Sequence, residues 1–487
     1  MRTRFCSDPV AGLSRVFVAL SLLTLAALAC DLGSGAAPAI TPLAAGSVTP
    51  TRITGGGLPP TATPTATPTI TPSLTPTPTA TFTPTASFTP TPSLTPSSTP
   101  TPTPGLITLT PVPTLAVQPA VRATVEAPLS PTAGWSCGDF PCEDDIDGFL
   151  QRIAVPPGFV LSHLGQLPGQ PLSIAFGPDG RLYALVITDG AQAGALVALD
   201  PATGASATIL DGLISPGGLA FRPGTDILYY TARTRADGGG ALWSLEPDGT
   251  PRLLRDDLPC CYTIINGQPN GIAFGPDGYL VLAAGALTDH SEAAPHLPEL
   301  YATPTPWEGA ILRLPPDGST VEVLGRGFRD PIDLTFTADG RLFVTDTGLI
   351  IGIGDRLVRL EQGGHHGWPY WRERGCLECP VIPPDLTPVP DWVTLPPDSS
   401  PRGIVAYHSG AFPPEYYDNL FVALWNGVEG AQRVIRVRNV PNTRAAQVSA
   451  FVTGLIRPAD VAVAPDGSLV VADYIYGHVW QVRYTGE

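Results

Sequence analysis

Residues 269–284 read PNGIAFGPDGYLVLAA: a proline, a short apolar run, the turn Pro-Asp-Gly, and a second apolar run. Asp-Gly between two apolar runs is a strong hairpin signal, because glycine accepts a backbone conformation other residues avoid and aspartate bonds to its own turn. The phrase returns as PLSIAFGPDGRLYALV (171–186), PGGLAFRPGTDILYYT (216–231), PIDLTFTADGRLFVTD (331–346) and PADVAVAPDGSLVVAD (458–473), with a looser copy in PRGIVAYHSGAFPPEYYDNLFVAL (401–424). A third run follows each hairpin, as in ALVALD (195–200), ALWSLE (241–246) and RVIRVR (433–438), and usually a fourth, as in ATILDGL and SAFVTGL. Six such repeats predict an all-β fold, a six-bladed β-propeller with four-stranded blades over residues 155–487. A sandwich or barrel accommodates the strands but not the even repeat. The last repeat supplies three strands, and FVLSHLGQLPGQP (159–171) matches the fourth-strand pattern ahead of the first hairpin. The ring is therefore expected to be closed by the N-terminal strand, which removes a templating sheet edge. The loops leading into the first strands, at 167–172, 212–218, 259–271, 326–333, 396–403 and 455–460, then gather at one mouth, where binding is expected.

Upstream the composition changes. Arg2 and Arg4 precede an apolar run, Val16 to Ala29, of about fourteen residues, short of the ~20 that span a bilayer. It reads as a signal peptide (1–29), and Leu25-Ala-Ala-Leu-Ala-Cys30 resembles a bacterial lipobox. Lipid attachment is expected on Cys30 at the head of a short segment (30–36), giving an extracytoplasmic lipoprotein anchored at the cell surface. Residues 37–133 are Thr, Pro, Ala and Ser with no apolar period. This is a disordered linker, semi-rigid because proline favours an extended backbone. Residues 134–154 form a Cys-containing lead-in.

The formal charge is −16, and residues 1–133 carry almost none of it. The 27 basic residues are all arginine. The absence of lysine excludes Schiff-base and P-loop lysine chemistry, and an acidic chain without a basic run is a poor nucleic-acid binder. Six cysteines, Cys137, Cys142, Cys260, Cys261, Cys376 and Cys379, lie in the part expected to fold. An exported chain pairs such residues. CGDFPC is a plausible local loop and CLEC is close enough to pair. That leaves Cys260 and Cys261 to each other, or the set to cross-pair. His365 and His366 stand in GGHHGWPYW (363–371), and His290 and His296 share a Pro-rich insertion. Either pair is a candidate base or metal ligand beside the plain reading of exposed loop histidines. No GxSxG, GxGxxG or HExxH pattern is present.

The order of GFRDPIDLTF (327–336), TDTG (345–348), GGHHGWPYW, SPRGIVAYHSGAFP (400–413), LFVALW (420–425) and IRPADVAVAPDGSLVVAD (456–473) resembles the glucose/sorbosone dehydrogenase family. That resemblance implies a sugar or polyol oxidoreductase using pyrroloquinoline quinone (PQQ) and Ca²⁺, the quinone doing the redox step while the protein positions and polarises it. It assigns quinone contacts to Arg329, Asp330 (where the family has Asn) and Arg457, and calcium-binding carbonyls to Gly348 and Leu349. At the family's catalytic histidine this chain has Gln268, which cannot accept a proton at neutral pH; His290, His296 or His365 are substitutes to weigh, and His365 is kept with Gln268 as the catalytic candidate. The second arginine of the family's last-blade pair is Ala459. The expected partners are a small sugar or polyol and the membrane, with no nucleic acid, for a monomer. Two further readings stand beside this one. One is a non-catalytic surface binding propeller. The other is a metal-dependent lactonase-type propeller with ligands among Asn270, Asp330, Asp333 and Asp460.

Overall fold

The computed structural model describes residues 137–189, 193–235, 238–260, 269–289, 307–438 and 446–486. Cys30, Cys261, Gln268, His290 and His296 lie outside the described residues, as does the Thr/Pro-rich segment. The helix α1 (Ile146–Arg152) opens the domain, with the Asp145 carboxylate accepting the Gly148 N–H at 2.8 Å as its cap. After it, among the described residues, come strands and loops with two single-turn 3-10 helices, Arg372–Arg374 and Pro414–Tyr416. Strand β1 (Phe159–Gln166) stands apart in sequence. Set one is β2 (Gln170–Phe176), β3 (Leu182–Asp189), β4 (Ala193–Leu199) and β5 (Ser206–Ile214). Set two is β6 (Leu219–Phe221), β7 (Leu228–Arg235), β8 (Gly238–Leu245) and β9 (Pro251–Leu258). Set three is β10 (Pro269–Phe274), β11 (Leu280–Ala284), β12 (Ala310–Leu314) and β13 (Glu322–Arg326). Set four is β14 (Asp330–Phe336), β15 (Leu342–Thr347), β16 (Arg356–Arg359) and β17 (Val393–Thr394). Set five is β18 (Pro401–Ala406), β19 (Leu420–Leu424), β20 (Arg433–Arg438) and β21 (Gln447–Val452). The last set is β22 (Pro458–Val463), β23 (Leu469–Asp473) and β24 (His478–Tyr484), completed by β1.

The repeated phrase is a hairpin in each case, and its turn shows why the residues recur. In the first copy the Gly177 N–H donates to the Arg181 carbonyl (2.9 Å) and the Asp179 carboxylate accepts the Arg181 N–H (3.1 Å). Gly180 sits at φ 78°, a left-handed conformation that costs a residue with a Cβ. Burial grades outward. Strands β11, β19 and β23 are buried at every position, while the outer strands β5 and β9 are largely exposed. A second strand reads as continuous apolar sequence because both its faces meet a neighbouring sheet.

Apolar clusters fill the space between neighbouring sets. One joins set three to set four through Val281, Ile311, Leu334 and Val344, and another joins the last set to the first through Val470, Ala472, Leu182 and Val197. The first strands pack in sequence, β2 on β6, β6 on β10, and so on to β22, which returns to β2. This is a closed β-propeller. The sheet count departs from the sixfold expectation: among the described residues the strands form five hydrogen-bonded sheets, four of four strands and one of eight. The cause is local. β6 is only three residues long after Pro216-Gly217-Gly218, and the end of β5 reaches past it to β7 at the single pair Ile214↔Arg233. Closure by the N-terminal strand is observed: β1 runs antiparallel to β24 from Phe159↔Tyr484 to Gln166↔His478. Phe159 seals it against Phe412, Tyr416, Phe451 and Tyr484, ring centroids 4.8–5.3 Å away.

Disulfides join Cys137 to Cys142 and Cys376 to Cys379. Cys260 is buried and disulfide-bonded.

Candidate functional site: an arginine-lined mouth above a central channel

The second residues of the repeated phrase, Leu172, Gly217, Asn270, Ile332, Arg402 and Ala459, form one ring. The third residues, Ser173, Gly218, Gly271, Asp333, Gly403 and Asp460, form the ring beneath it. All but Ala459 line a neck of about 50 Å³. Below it a channel of about 470 Å³ runs between the first strands as far as His408 and Ser409. Both cavities are bounded by Ser173, Asp333 and Asp460, so these residues mark the narrowing. Glycines make room there: a Cβ on Gly271 would stand 2.5 Å from an Asp333 oxygen, and one on Gly403 would stand 1.8 Å from Asp460. The two carboxylates brace neighbouring sheets, Asp333 accepting the Ile404 N–H (2.9 Å) and Asp460 the Ile174 N–H (2.6 Å). Burial pushes Asp333 up to about 7, and burial together with the Asp333 charge raises Asp460 well above the carboxylate range.

The mouth above the neck carries arginines on three loops, each held by a buried aspartate. Asp346, at the end of β15, accepts the backbone N–H of Arg329 (3.1 Å) and of Asp330 (2.8 Å). Asp473, at the end of β23, does the same for Ile456 (2.8 Å) and Arg457 (2.7 Å). Asp355 accepts from Gly348 (2.7 Å) and from Ser400 (2.9 Å), and so fixes the turn that leads into Arg402. Burial raises all three carboxyls, Asp473 to about 6. Arg356 counters Asp346, binding it through Nε (2.9 Å) and Nη2 (2.6 Å), with both side chains fully buried. Arg356 also reaches Asp391 (2.8 Å), the Gly327 carbonyl (2.9 Å) and the His366 carbonyl, which ties the 363–371 loop to the mouth.

The side chains divide differently from the sequence expectation. Arg329 is buried and directs Nε and Nη2 onto the Asp289 carboxylate at 3.0 and 2.7 Å; Asp330 lies 3.7 Å from its Nη1. Asp330 also accepts from Asn270 Nδ2 (3.2 Å). Arg457 is half-buried, its guanidinium 5.6 Å from the Trp425 ring. Arg402, which sequence reasoning missed, lies over the same ring at 4.5 Å, and its Nε is buried with no acceptor. Burial lowers its guanidinium pKa and Arg457 adds to that, against Asp330, Tyr474 and Asp355. Tyr474 meets Trp425 edge-on at 4.4 Å. Among the described residues neither Arg402 nor Arg457 has an ion pair. A signal for Arg402 was present: of the six second positions in the repeated phrase, it alone is charged.

His365 stands beside the Gly327 backbone and Tyr370, its Nδ1 accepting the Gly367 N–H (3.1 Å), and burial lowers its pKa. Its neighbour His366 is buried against Phe328 and held down to about 4 by burial and by Arg356. Among the described residues no hydrogen bond or ion pair joins a histidine to Arg329, Arg402 or Arg457. The Gly348–Leu349 turn is closed on itself: the Leu349 carbonyl accepts the Gly352 N–H (2.9 Å), and the Leu349 N–H donates to Ile353 (2.7 Å). Among the described residues no group of three or more His, Cys, Asp or Glu side chains is placed to hold a metal ion. Of the four lactonase candidates, Asn270, Asp333 and Asp460 line the neck together, and Asp330 meets Asn270 Nδ2 at 3.2 Å.

The described domain is thus a β-propeller whose central channel opens beneath a mouth that carries Arg402 and Arg457 beside Trp425. Residues 266–477 match the Glucose / Sorbosone dehydrogenase family model, and the resemblance to that family holds. The chain is similar in fold to the PQQ-bound aldose sugar dehydrogenase of Streptomyces coelicolor (19% identity, 68% of this chain and 99% of that one, TM-score 0.50). It is likewise similar to the soluble aldose sugar dehydrogenase of Escherichia coli in its apo form (18% identity, 67% and 99%, TM-score 0.51). An uncharacterized protein of Borreliella burgdorferi is 25% identical over 200 residues, 36% of this chain. The aligned stretch spans about half (52%) of that relative's length.

Proposed function

We propose that this chain is a PQQ-dependent oxidoreductase acting on a hydroxyl of a sugar or polyol, held outside the cytoplasm by lipid on Cys30 and the Thr/Pro-rich linker. The observation that carries the reading is the pair of guanidiniums sharing Trp425 at the mouth of the channel, without ion pairs among the described residues, inside the stretch 266–477 that matches this family. PQQ is a planar polycarboxylate. Guanidinium groups bind carboxylates through two parallel hydrogen bonds, and the buried Arg402 Nε lacks an acceptor, so the donor set fits. When bound, the quinone supplies two-electron oxidising chemistry. The chain's own part is to hold it: Asp346, Asp355 and Asp473 fix the three arginine loops, and the narrowing beneath limits how far a ligand descends. The Gly348 and Leu349 carbonyls are the calcium ligands that the resemblance assigns; the Leu349 oxygen accepts one hydrogen bond and keeps a second lone pair, and no step is drawn through a metal.

Calorimetric titration of the mature full-length chain with PQQ, with and without Ca²⁺, followed by a dye-coupled aldose oxidation assay, tests the reading. Submicromolar binding with turnover is the expected result. Absence of binding to folded protein refutes it. Binding without turnover favours the second reading, a binding propeller, which Gln268 at the position of the family's catalytic histidine supports. Mass spectrometry of the membrane-extracted protein is expected to find a diacylglyceryl thioether on an N-terminal Cys30; a mature chain starting elsewhere removes the tether.

A further inference from the structure

We propose that Arg402 and Arg457, rather than Arg329, are the arginines that grip the anionic ligand of the mouth, with Trp425 as their shared support. The proposal deepens the quinone reading and rests on it for the identity of the ligand. Its warrant is how the charges are already spent. Arg329 has its counter-ion inside the protein: two of its nitrogens reach one oxygen of Asp289, which is itself buried and also meets the Ile350 N–H (3.4 Å). A ligand carboxylate arriving at Arg329 would have to displace that partner and leave Asp289 buried and unpaired, a substantial penalty.

Arg402 and Arg457 pay no such exchange. They lie on adjacent sheets, Arg402 in β18 and Arg457 immediately before β22, and both approach the Trp425 ring, at 4.5 and 5.6 Å. Two like charges around one ring repel each other, and burial makes the Arg402 charge costlier still. An anion between them relieves both effects. The backbone at Arg402 is tightly set, its carbonyl accepting from Thr345 Oγ1 (2.7 Å), and the guanidinium lies on the Trp425 ring. Arg402 is among the residues that line the neck. The chemistry selected is a molecule with at least two carboxylates that can meet the two guanidiniums.

The test uses the mature full-length chain with PQQ as probe, followed by tryptophan fluorescence and calorimetry at two salt concentrations. R402Q and R457Q are each expected to weaken binding about 10- to 100-fold, the loss of a charge-assisted hydrogen-bonding group, and to flatten the salt dependence. R402K keeps the charge without the fork and is expected to fall between R402Q and wild type. R329Q is expected to lower the melting temperature, because Asp289 loses its partner, while weakening binding by less than either of the other two. Should R329Q abolish binding in protein that is still folded while R402Q does not, the assignment is overturned. If wild type binds no quinone, the quinone reading fails, and citrate replaces PQQ as the probe. Citrate binding lost in R402Q then upholds the arginine pair, and no binding of either probe overturns it.

Discussion

His478 offers a measurement of what holds the ring shut. It lies on β24 and is almost wholly buried, with Nδ1 3.2 Å from Nε2 of His163 on the closing strand and the rings of Phe149 and Trp480 packed around it. One imidazole must donate and the other accept. If both are charged neither can accept, and the contact becomes repulsive. Burial, with the His163 charge behind it, holds the His478 pKa down to about 4, against 6.5 for a free side chain; the backbone and charge of Glu143 oppose this. Because the folded-state pKa is depressed, the folded state favours the neutral ring. That contribution is complete above pH 6.5 and is lost as pH falls toward 4. The size is about 3 kcal/mol over that window, at ~1.4 kcal/mol per tenfold change in proton affinity. Urea unfolding of wild type and His478→Gln, at several pH values between 7 and 4, reads it directly. The stability advantage of wild type over H478Q should shrink by about 3 kcal/mol across that range. His163, whose pKa burial also lowers, titrates in the same direction, so H163Q removes part of the same slope. Buried carboxyls such as Asp333 and Asp473 act in the opposite sense, which is why the difference between proteins, not the slope of either, is the quantity to read. Parallel pH profiles for wild type and H478Q would refute the argument.

Other outcomes follow from the same geometry. Asp473, raised to about 6 by burial, costs the folded state more as pH rises from about 4 to 6; wild type is expected to lose about 3 kcal/mol relative to D473N over that window, measured by denaturant unfolding. Arg356→Met leaves Asp346 buried without its cation and should cost about 3–5 kcal/mol, whereas R356M/D346L should recover much of that loss in a thermal melt. Phe159→Ala empties the centre of the aromatic seal on β1 and should cost about 3–5 kcal/mol; hydrogen exchange should then rise first along β1 and β24. Replacing Cys376 and Cys379 with serine opens a short loop and should cost about 2 kcal/mol, read from the urea midpoint.

Hairpins were readable because Asp-Gly sets turn geometry locally and the repeat multiplied the signal. Closure by β1 was readable because the last set lacked one partner and 159–166 matched the missing pattern. The fusion of two sets was not, since whether Ile214 meets Arg233 depends on how short β6 becomes, which is a matter of packing. Arg329 and Arg457 look equivalent in sequence, and each is held by an aspartate at the end of a second strand. What separates them is Asp289, forty residues from Arg329 in the chain, and no local pattern announces that pairing. Arg402 was hidden for another reason: its significance appears only when the second positions of all six phrases are laid side by side and Trp425 is seen beneath it.

The seam between β1 and β24 also sets a clock. Ser162 and Gln481 face each other across it, 319 residues apart in the chain. At a synthesis rate of roughly 5–20 residues per second, the first-made strand of the ring waits about a quarter of a minute to a minute for its partner. During that interval its edge is open, and no earlier strand can substitute without disturbing the order of the others. Loss of β24 should therefore be as damaging as loss of β1, and whatever guards the nascent chain must act for the whole of that wait.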